Sequence, residues 1–475
     1  MEIQNSPLAL MAAKIIKEGT SSVTSYKAII AILPDENDTY QTTQWVYPLQ
    51  INNINILRDY VHNFSDIITC TMQIPIGQYT YLLYPKRAKL EVTLIKTIKN
   101  INGEEVTGNN IESEKFYGFL IKPPNPATIA NGAEMIDQGT LDLKGVLDIN
   151  FQLVSEAVTK LKAITFSTIV RNTALDDLMQ TVLPTEMQKL QLDSSVAMQD
   201  FELSPIDNDT TYDAILFPTG FRLIDMPDYL QDTYGLYNAG MGSYIQNRTW
   251  YIFPLYDNSD YDQLLRTVNF HIVPKKKYNG VEHTYIVNKD SINILITSDT
   301  KFKDDAGTGQ YNAGNGVRYV DANNVVDGYG TTKDNKITIN RQDNVSEYIV
   351  NNNPKNINVV STPTNNVTAN PFKANSELTS RIGGTVRLTW QNSNPSLLLP
   401  SMKCKITYFD EGITKEIYGL VLKSQNITVK NSDINTVNHV TTTVVDIFIQ
   451  TLPVNTDTDG TTTSSVMGTN QALFS

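Results

Sequence analysis

Hydrophobic positions near the start of the chain recur at helical spacing. Leu8, Met11, Ala12, Ile15 and Ile16 form one stripe, which predicts an amphipathic helix. Ser6-Pro7 suits its N-cap and first turn, Lys14 and Lys17 its C-terminal end, and Gly19 its stop. The expectation is a docking arm for a β domain rather than a membrane anchor. From Tyr26 the pattern becomes β: an apolar run to Leu33 ends at the turn cluster Pro34-Asp35-Glu36-Asn37. A second β-prone stretch covers 46–57. Ile68, Cys70, Met72 and Ile74 then alternate on one strand face, as do Leu90, Val92 and Leu94. The segment from Pro75 to Pro85 reads as irregular or helical.

The middle third mixes periods. Residues 163–170 read as a strand. Thr173-Ala174-Leu175-Asp176 opens a helix whose stripe is Leu175, Leu178, Met179 and Val182, with Pro184 after its stop. Asp225 to Gln231 reads as a second short helix closed by Gly235. Aromatic β-prone stretches follow at Tyr244-Ile245 and 250–253. In the last third, strands are expected at 292–296, 336–340, 384–390, 403–408, 418–423 and 444–452. A polar loop begins at Asp304, and a Thr/Ser/Asn/Gly-rich tail runs over 453–475.

Two segments echo each other. Leu83-Tyr84-Pro85, a strand from Leu90 and Tyr117-Gly118-Phe119-Leu120-Ile121-Lys122 parallel Leu398-Leu399-Pro400, a strand from Lys403 and Tyr418-Gly419-Leu420-Val421-Leu422-Lys423. The first carries the longer insertion, and the strand phase relative to Pro slips by one residue. At about 150 residues per domain the length suggests about three domains. The expected class is mainly β with minor α (α+β), multidomain, with two similar β-barrel-like modules and a mixed middle domain. The boundaries are a leading helix and N-terminal β module over 1–155, a mixed α/β domain over 156–305, a C-terminal β-barrel module over 306–452 and an extended tail over 453–475.

Composition narrows the chemistry. Lys+Arg number 38 against Asp+Glu 50, a net charge of −12, which disfavours general nucleic-acid binding because phosphate contacts need clustered cations. Cys70 and Cys404 lie too far apart in sequence for a Cys-x-x-Cys knuckle, and no disulfide framework can be built from two cysteines. No basic n-region and no membrane-length apolar run occurs, so the chain is expected to be soluble and assembled in a cytoplasm. His62, His271, His283 and His439 form no helical metal pair. Gly235 to Met241 has the glycine spacing of a phosphate loop but Met where Lys is required. Lys275-Lys276-Lys277 reads as a solvated strand end. Asp225 and Asp228 share a helix face, as a glycosidase pair would need, yet Asp at a helix start is the usual capping choice. No catalytic residue, cofactor or metal is expected.

The most distinctive stretch is Phe217-Pro218-Thr219-Gly220, then Asp225-Met226-Pro227-Asp228-Tyr229-Leu230-Gln231, Tyr234-Gly235-Leu236-Tyr237, Gly240, Gly242-Ser243-Tyr244-Ile245-Gln246, Trp250 and Phe253-Pro254-Leu255-Tyr256. With Pro400-Ser401-Met402-Lys403 leading into a C-terminal strand, it resembles the central baseplate or tail hub proteins of tailed bacteriophages and related contractile injection machines. The resemblance spans about residues 40–452 in element order, and its motifs are structural. Where that family often has Pro-Gly-Met, this chain has Pro400-Ser401-Met402, which leaves the turn geometry open. The resemblance implies a homotrimer in the virion tail. Two β modules per subunit would form a pseudo-sixfold ring on the tail tube protein and accept a threefold spike or tail-tip protein. The tape-measure protein is a further partner, and DNA passes only as cargo. A receptor- or glycan-binding appendage is the alternative, and a polysaccharide depolymerase using Asp225 and Asp228 a third.

Aromatic density of this kind marks association surfaces as well as cores. The segment 229–256 is expected to be largely buried, partly in its own domain and partly against a neighbour, with Tyr237 and Tyr244 near a surface. The candidate interface residues are Tyr117, Gly118, Tyr229, Tyr234, Tyr237, Tyr244, Trp250, Pro400, Tyr418 and Gly419.

Overall fold

The computed structural model describes residues 7–19, 23–34, 42–83, 90–99, 111–121, 145–190, 196–257, 267–274, 283–297, 383–410, 413–431 and 438–450, with shorter pieces between them. The expected turn at 35–37, the lysine triplet at 275–277, Tyr84, Pro85, Lys122 and the tail 453–475 lie outside the described residues. So does most of the polar loop from 304. The fold is mainly β with minor α, as the sequence predicts.

The stripe at residues 8–16 forms α1 (Pro7–Glu18), which buries Leu8, Ala12 and Ile15 against Val273 and Leu295. Gly19 closes it, donating its N–H to the Ile15 carbonyl at 2.7 Å; a Cβ there would lie 2.2 Å from that oxygen. The arm therefore docks on the chain's own C-terminal strands. The N-terminal module follows with β1 (Val23–Ile32), β2 (Gln44–Val46), β3 (Gln50–Asp59), β4 (Ile67–Pro75), a short turn α2 (Ile76–Gln78), β5 (Leu90–Lys99), β6 (Ile111–Ile121) and β7 (Val146–Ser155). Ile68, Cys70, Met72 and Ile74 of β4 and Leu90, Val92 and Leu94 of β5 all point into one core, as their alternation predicts.

The middle region holds α3 (Glu156–Ala163), β8 (Thr168–Ala174), α4 (Leu175–Gln188), β9 (Asp200–Leu203), β10 (Thr211–Phe217), α5 (Met226–Thr233), β11 (Met241–Gln246) and β12 (Thr249–Pro254). Two sequence expectations shift here. The strand expected at 163–170 begins only at Thr168. The residues before it form α3, whose Ala157, Val158 and Leu161 are buried at helical spacing and whose Glu156–Lys160 pair closes at 2.9 Å. The helix opened at Thr173-Ala174-Leu175-Asp176 does not stop before Pro184; Pro184 lies inside α4. Burial of Leu183 beyond Leu178 and Met179 offsets the lost hydrogen bond, and the Thr185 hydroxyl donates to the Thr181 carbonyl at 2.6 Å. The α5 expectation holds: Gly235 takes φ +82°, and its N–H donates to the Leu230 carbonyl at 2.9 Å.

Next come β13 (Thr267–Ile272), β14 (Tyr285–Val287), β15 (Ser291–Ile296), β16 (Lys301–Lys303) and the short pairs of β17 (Arg318–Val320) with β20 (Glu347–Ile349) and β18 (Thr332–Lys333) with β19 (Lys336–Ile337). The chain ends in β21 (Gly383–Trp390), β22 (Lys403–Asp410), β23 (Ile413–Lys430) and β24 (His439–Gln450). Although the sequence groups 156–305 as one domain, β13 pairs in parallel with both β15 and β22. Val268, Phe270, Ile292, Ile294 and Ile296 therefore share a core with Cys404, Ile406, Val445 and Ile447. These strands alternate apolar residues toward a core that only the C-terminal strands complete.

The two β cores share one ribbon. The base of β23, from Ile413 to Leu420, pairs with β22. At Leu422 the register of β23 against β24 shifts by one residue, a bulge that bends and twists the strand. There β22 ends its pairing and β3 replaces it: the Leu422 carbonyl accepts the Tyr60 N–H at 3.0 Å, and Lys423 to Val429 pair with Asp59 to Asn53. On the far side β24 pairs with β21 at its base and meets β1 at Thr24–His439. Strands β3, β4, β7, β6, β5, β1, β24 and β23 thus close a ring, while β14, β15, β13, β22, β23, β24 and β21 enclose the second core. The ribbon's inner face changes with its company. Ile417, Val421, Val445 and Ile447 are apolar at the base; Ser424, Asn426, Thr428, Thr441 and Thr443 are buried and polar toward the tip. Thr428 and Thr441 hydroxyls meet at 2.9 Å, and Thr443 donates to Asn426 Oδ1 at 2.9 Å, so most of this wall is internally hydrogen-bonded.

The echoing segments are both antiparallel hairpins, β5–β6 and β22–β23, with Gly118 opposite Leu90 and Gly419 opposite Cys404. Each glycine sits where a side chain has no room: a Cβ would lie 2.6 Å from Val92 Cγ2 at Gly118, and 2.6 Å from both Ile447 Cγ2 and the Phe448 carbonyl at Gly419. Ser401 holds φ +61°, so the glycine-type turn before β22 is kept without glycine. Gly419→Ala is expected to destabilise the chain by about 2 kcal/mol, because a backbone carbonyl cannot move aside. Ser401→Gly should stabilise it by about 0.5–1 kcal/mol by relieving left-handed strain. Denaturant melts of both variants check the opposite signs.

Candidate interaction surfaces

The three regions meet at the end of β3. Arg58 is buried; its Nε lies 3.1 Å from Asp66 Oδ2, and its guanidinium donates to the Pro395 carbonyl at 2.9 Å. The Tyr244 hydroxyl of β11 donates to the other Asp66 oxygen at 2.8 Å. Tyr60 stacks edge-on against Tyr244 with centroids 4.8 Å apart, and its hydroxyl donates to Gln246 Oε1 at 3.0 Å. Gln246 in turn donates to the Leu398 carbonyl at 2.8 Å. Burial lowers the Arg58 pKa, but the Asp66 carboxylate together with Tyr60 and Tyr244 more than compensates and holds it above the ordinary value. Burial and the Asp66 charge push the Tyr244 phenol up. One charge pair and two tyrosines thus tie the N-terminal ring, the middle region and the turn before β22.

Beside it, Asp59 accepts the N–H groups of Val61 and His62 and pairs with Lys423 at 3.2 Å. Burial opposes the Asp59 carboxylate, yet the hydrogen bonds from Lys423 and His62 win and hold its pKa below the usual range.

The ten candidate interface residues fall into two groups. Tyr237, Tyr244 and Trp250 are 0% exposed, so the expectation that Tyr237 and Tyr244 sit near a surface is corrected. Their polar ends are satisfied inside: Tyr237 donates to the Ser204 carbonyl at 2.6 Å and Trp250 Nε1 to Ser243 Oγ at 2.9 Å. Gly118, Pro400 and Gly419 are buried in or beside the two hairpins. Tyr117, Tyr229, Tyr234 and Tyr418 are half-buried and remain available in part. Tyr229 donates to the Leu216 carbonyl at 2.9 Å and packs on Phe217 and Phe221; Tyr234 stacks on Tyr212 at 4.7 Å.

Sequence reasoning passed over a more exposed stripe. Trp45, Tyr47 and Leu49, on and just after β2, are 51%, 59% and 60% exposed, while Val46 between them is buried. Their i, i+2, i+4 spacing was the available signal.

The two carboxylates of the acidic pair have different surroundings. Both oxygens of Asp225 are engaged by Arg222, at 2.7 and 3.0 Å, so Asp225 is an ion-pair partner and makes no side-chain cap. Asp228 lies in the first turn of α5; burial and the charges of Asp232 and Asp225 push its carboxyl up. Burial raises the Cys70 thiol to about 12. Among the described residues no group of three or more His, Cys, Asp or Glu is placed to hold a metal, and no helix is long and apolar enough to cross a membrane.

No family model matches the sequence, and no curated protein sequence matches it. Among solved structures, the chain is similar to the 43 kDa tail protein of prophage MuSo2 from Shewanella oneidensis, with 8% identity, coverage of 89% of this chain and 98% of that one, and a TM-score of 0.43. A tail protein from Neisseria meningitidis matches with 9% identity, 89% and 96% coverage and a TM-score of 0.39. The phage P2 baseplate in its activated conformation contains a chain with 9% identity, 88% and 98% coverage and a TM-score of 0.28.

Two outcomes are expected from the buried polar groups. Arg58→Leu should destabilise by about 3 kcal/mol, since it strands the Asp66 charge, and Tyr244→Phe by about 1–2 kcal/mol; equilibrium unfolding measures both. His439, with Nε2 2.9 Å from the Ile51 carbonyl, and His271, with Nε2 3.0 Å from Asn293 Oδ1, have pKa values lowered by burial. Their protonation favours the unfolded chain, so their contribution is full above the unfolded value of about 6.5 and is lost as pH falls toward the folded values. Stability should therefore drop below about pH 6.5, well before Asp59 titrates, and the His439→Gln, His271→Gln double variant should flatten that drop. A flat parent profile in this range would contradict the assignment.

Proposed function

We propose that this chain is a structural hub protein of a phage tail baseplate or tail tip, acting as a homotrimer and not as an enzyme. The observation that carries the reading is two β cores fused around one ribbon, each with a Tyr-Gly hairpin that the sequence repeats. Three such chains place six related β units about an axis. One face of that ring suits a sixfold tail tube protein, the other a threefold spike or tail-tip protein, with the tape-measure protein inside the tube. The resemblance of the stretch 217–256 and of the Pro400-Ser401-Met402 entry to central hub proteins supports the same assembly and a virion location. The charge of −12 per chain suits a channel wall that DNA crosses without adhering. The rings that the sequence offers most densely for glycan stacking, Trp250, Tyr237 and Tyr244, are enclosed, which weakens that alternative at this segment. The depolymerase alternative needs two free carboxylates, and Arg222 occupies Asp225.

The exposed Trp45, Tyr47 and Leu49 stripe supplies subunit contacts in this reading, since a lone chain gains nothing by exposing it. Sedimentation equilibrium of the purified chain should give three copies. The Trp45→Ser, Tyr47→Ser double variant should weaken trimer formation at least tenfold with unchanged monomer folding. A monomeric parent, or a variant that assembles normally, would count against the reading. Imaging of tails labelled on this chain should place it on the tail axis.

A further inference from the structure

A cleft of about 520 Å3 opens between α4 and β9. Pro184 and Met187 form one wall; Met198, Phe201 and Leu203 form the other. Its size falls in the range that holds small ligands or a few peptide residues, roughly 300–1,000 Å3. Two features make it more than a gap in the packing. β9 is the end strand of its sheet: it pairs in parallel with β12, and among the described residues no strand pairs with its outer edge. The polar groups around it include the side-chain amides of Gln180, Gln188 and Gln199, and the one charge among the described lining residues is negative. Pro184 has no N–H to give the Gln180 carbonyl one turn earlier, so this helical acceptor loses its normal donor beside the cleft. Asp200 lines the opening, and the negative end of the α4 dipole lies at Gln188. Among the described residues no Lys or Arg lines the cleft, and the nearby Lys189 is held by Glu186 at 2.5 Å. Glu202 follows two residues after Asp200 on β9; both are exposed, and desolvation and the Asp200 charge push the Glu202 carboxyl up.

We propose that this cleft receives an extended segment of a partner protein in which Lys or Arg alternates with small apolar residues, adding as a further strand on the outer edge of β9. Main-chain hydrogen bonds to the edge supply affinity, and the pocket selects the side chains. The basic side chain lays its methylene stem along Met187 and Met198, whose flexible thioethers adapt to it, and brings its charge to Asp200 and the Gln180 carbonyl. The inference is independent of the hub reading, because it concerns a single chain's middle region and no subunit boundary.

The test uses the full-length chain and a fluorescein-labelled peptide, Val-Lys-Val-Arg-Val-Lys-Val. The comparison peptides carry Glu at the three basic positions, or N-methyl groups on the valine amides. Saturable anisotropy is expected for the basic peptide alone, with at least tenfold weaker binding by both comparison peptides. The Asp200→Asn, Glu202→Gln double variant should lose at least tenfold in affinity while melting no lower than the parent, since it removes a like-charge pair. Met187→Trp, which fills the cleft, should weaken binding without touching the acidic pair, so the proposal stands on two variants rather than one. Equal binding of the acidic and basic peptides, full affinity of the N-methylated peptide, no saturable binding of the basic peptide, or unchanged affinity in both folded variants would overturn it.

Discussion

The structure depends on one shared β ribbon. β23 is 18 residues long, more than either core needs, and it leaves one barrel and enters the other without a break in the chain. The bulge at Leu422 makes this possible. It changes the strand's neighbour on one edge from β22 to β3 and adds local twist where the closed ring meets the second core. A flexible linker would have left the two cores free to rotate. A common strand makes their relative orientation a matter of hydrogen-bond register, which is much harder to deform.

The junction beside the bulge tightens the same constraint. Arg58, Asp66, Tyr60, Tyr244 and Gln246 are polar groups at the meeting of three apolar cores, and each finds a partner from a different part of the chain. Buried charges cost solvation, so such a network adds less net stability than an apolar packing of equal volume. What it adds is direction: a hydrogen bond fixes angles where a hydrophobic contact does not. The middle region is thereby oriented against both barrels.

Strand and helix identity was legible wherever one face met one core. The alternation of Ile68, Cys70, Met72 and Ile74, the α1 stripe and the Gly235 stop all appear as read. The Tyr-Gly echo marked two real hairpins. Closure was not legible, because the closing wall is Ser424, Asn426, Thr428, Thr441 and Thr443, residues whose pattern resembles a solvent-facing strand until their burial is known. The α4 boundary was misplaced because tertiary burial of Leu183 outweighs a single proline. Aromatic density could not separate core from interface: Tyr237 and Tyr244 are enclosed, and the exposed stripe is Trp45, Tyr47 and Leu49. Large rings serve both purposes, and only the neighbours that cover them decide which.

If the ribbon makes the two barrels one mechanical unit, they must open together. Native-state hydrogen exchange of β23 amides measures this directly, comparing the base that pairs with β22 and the tip that pairs with β3. The account predicts that both halves exchange only through the same global opening, with free energies equal within about 1 kcal/mol. Tip amides that exchange at a free energy several kcal/mol lower, while the base stays protected, would show two independently opening barrels and contradict it.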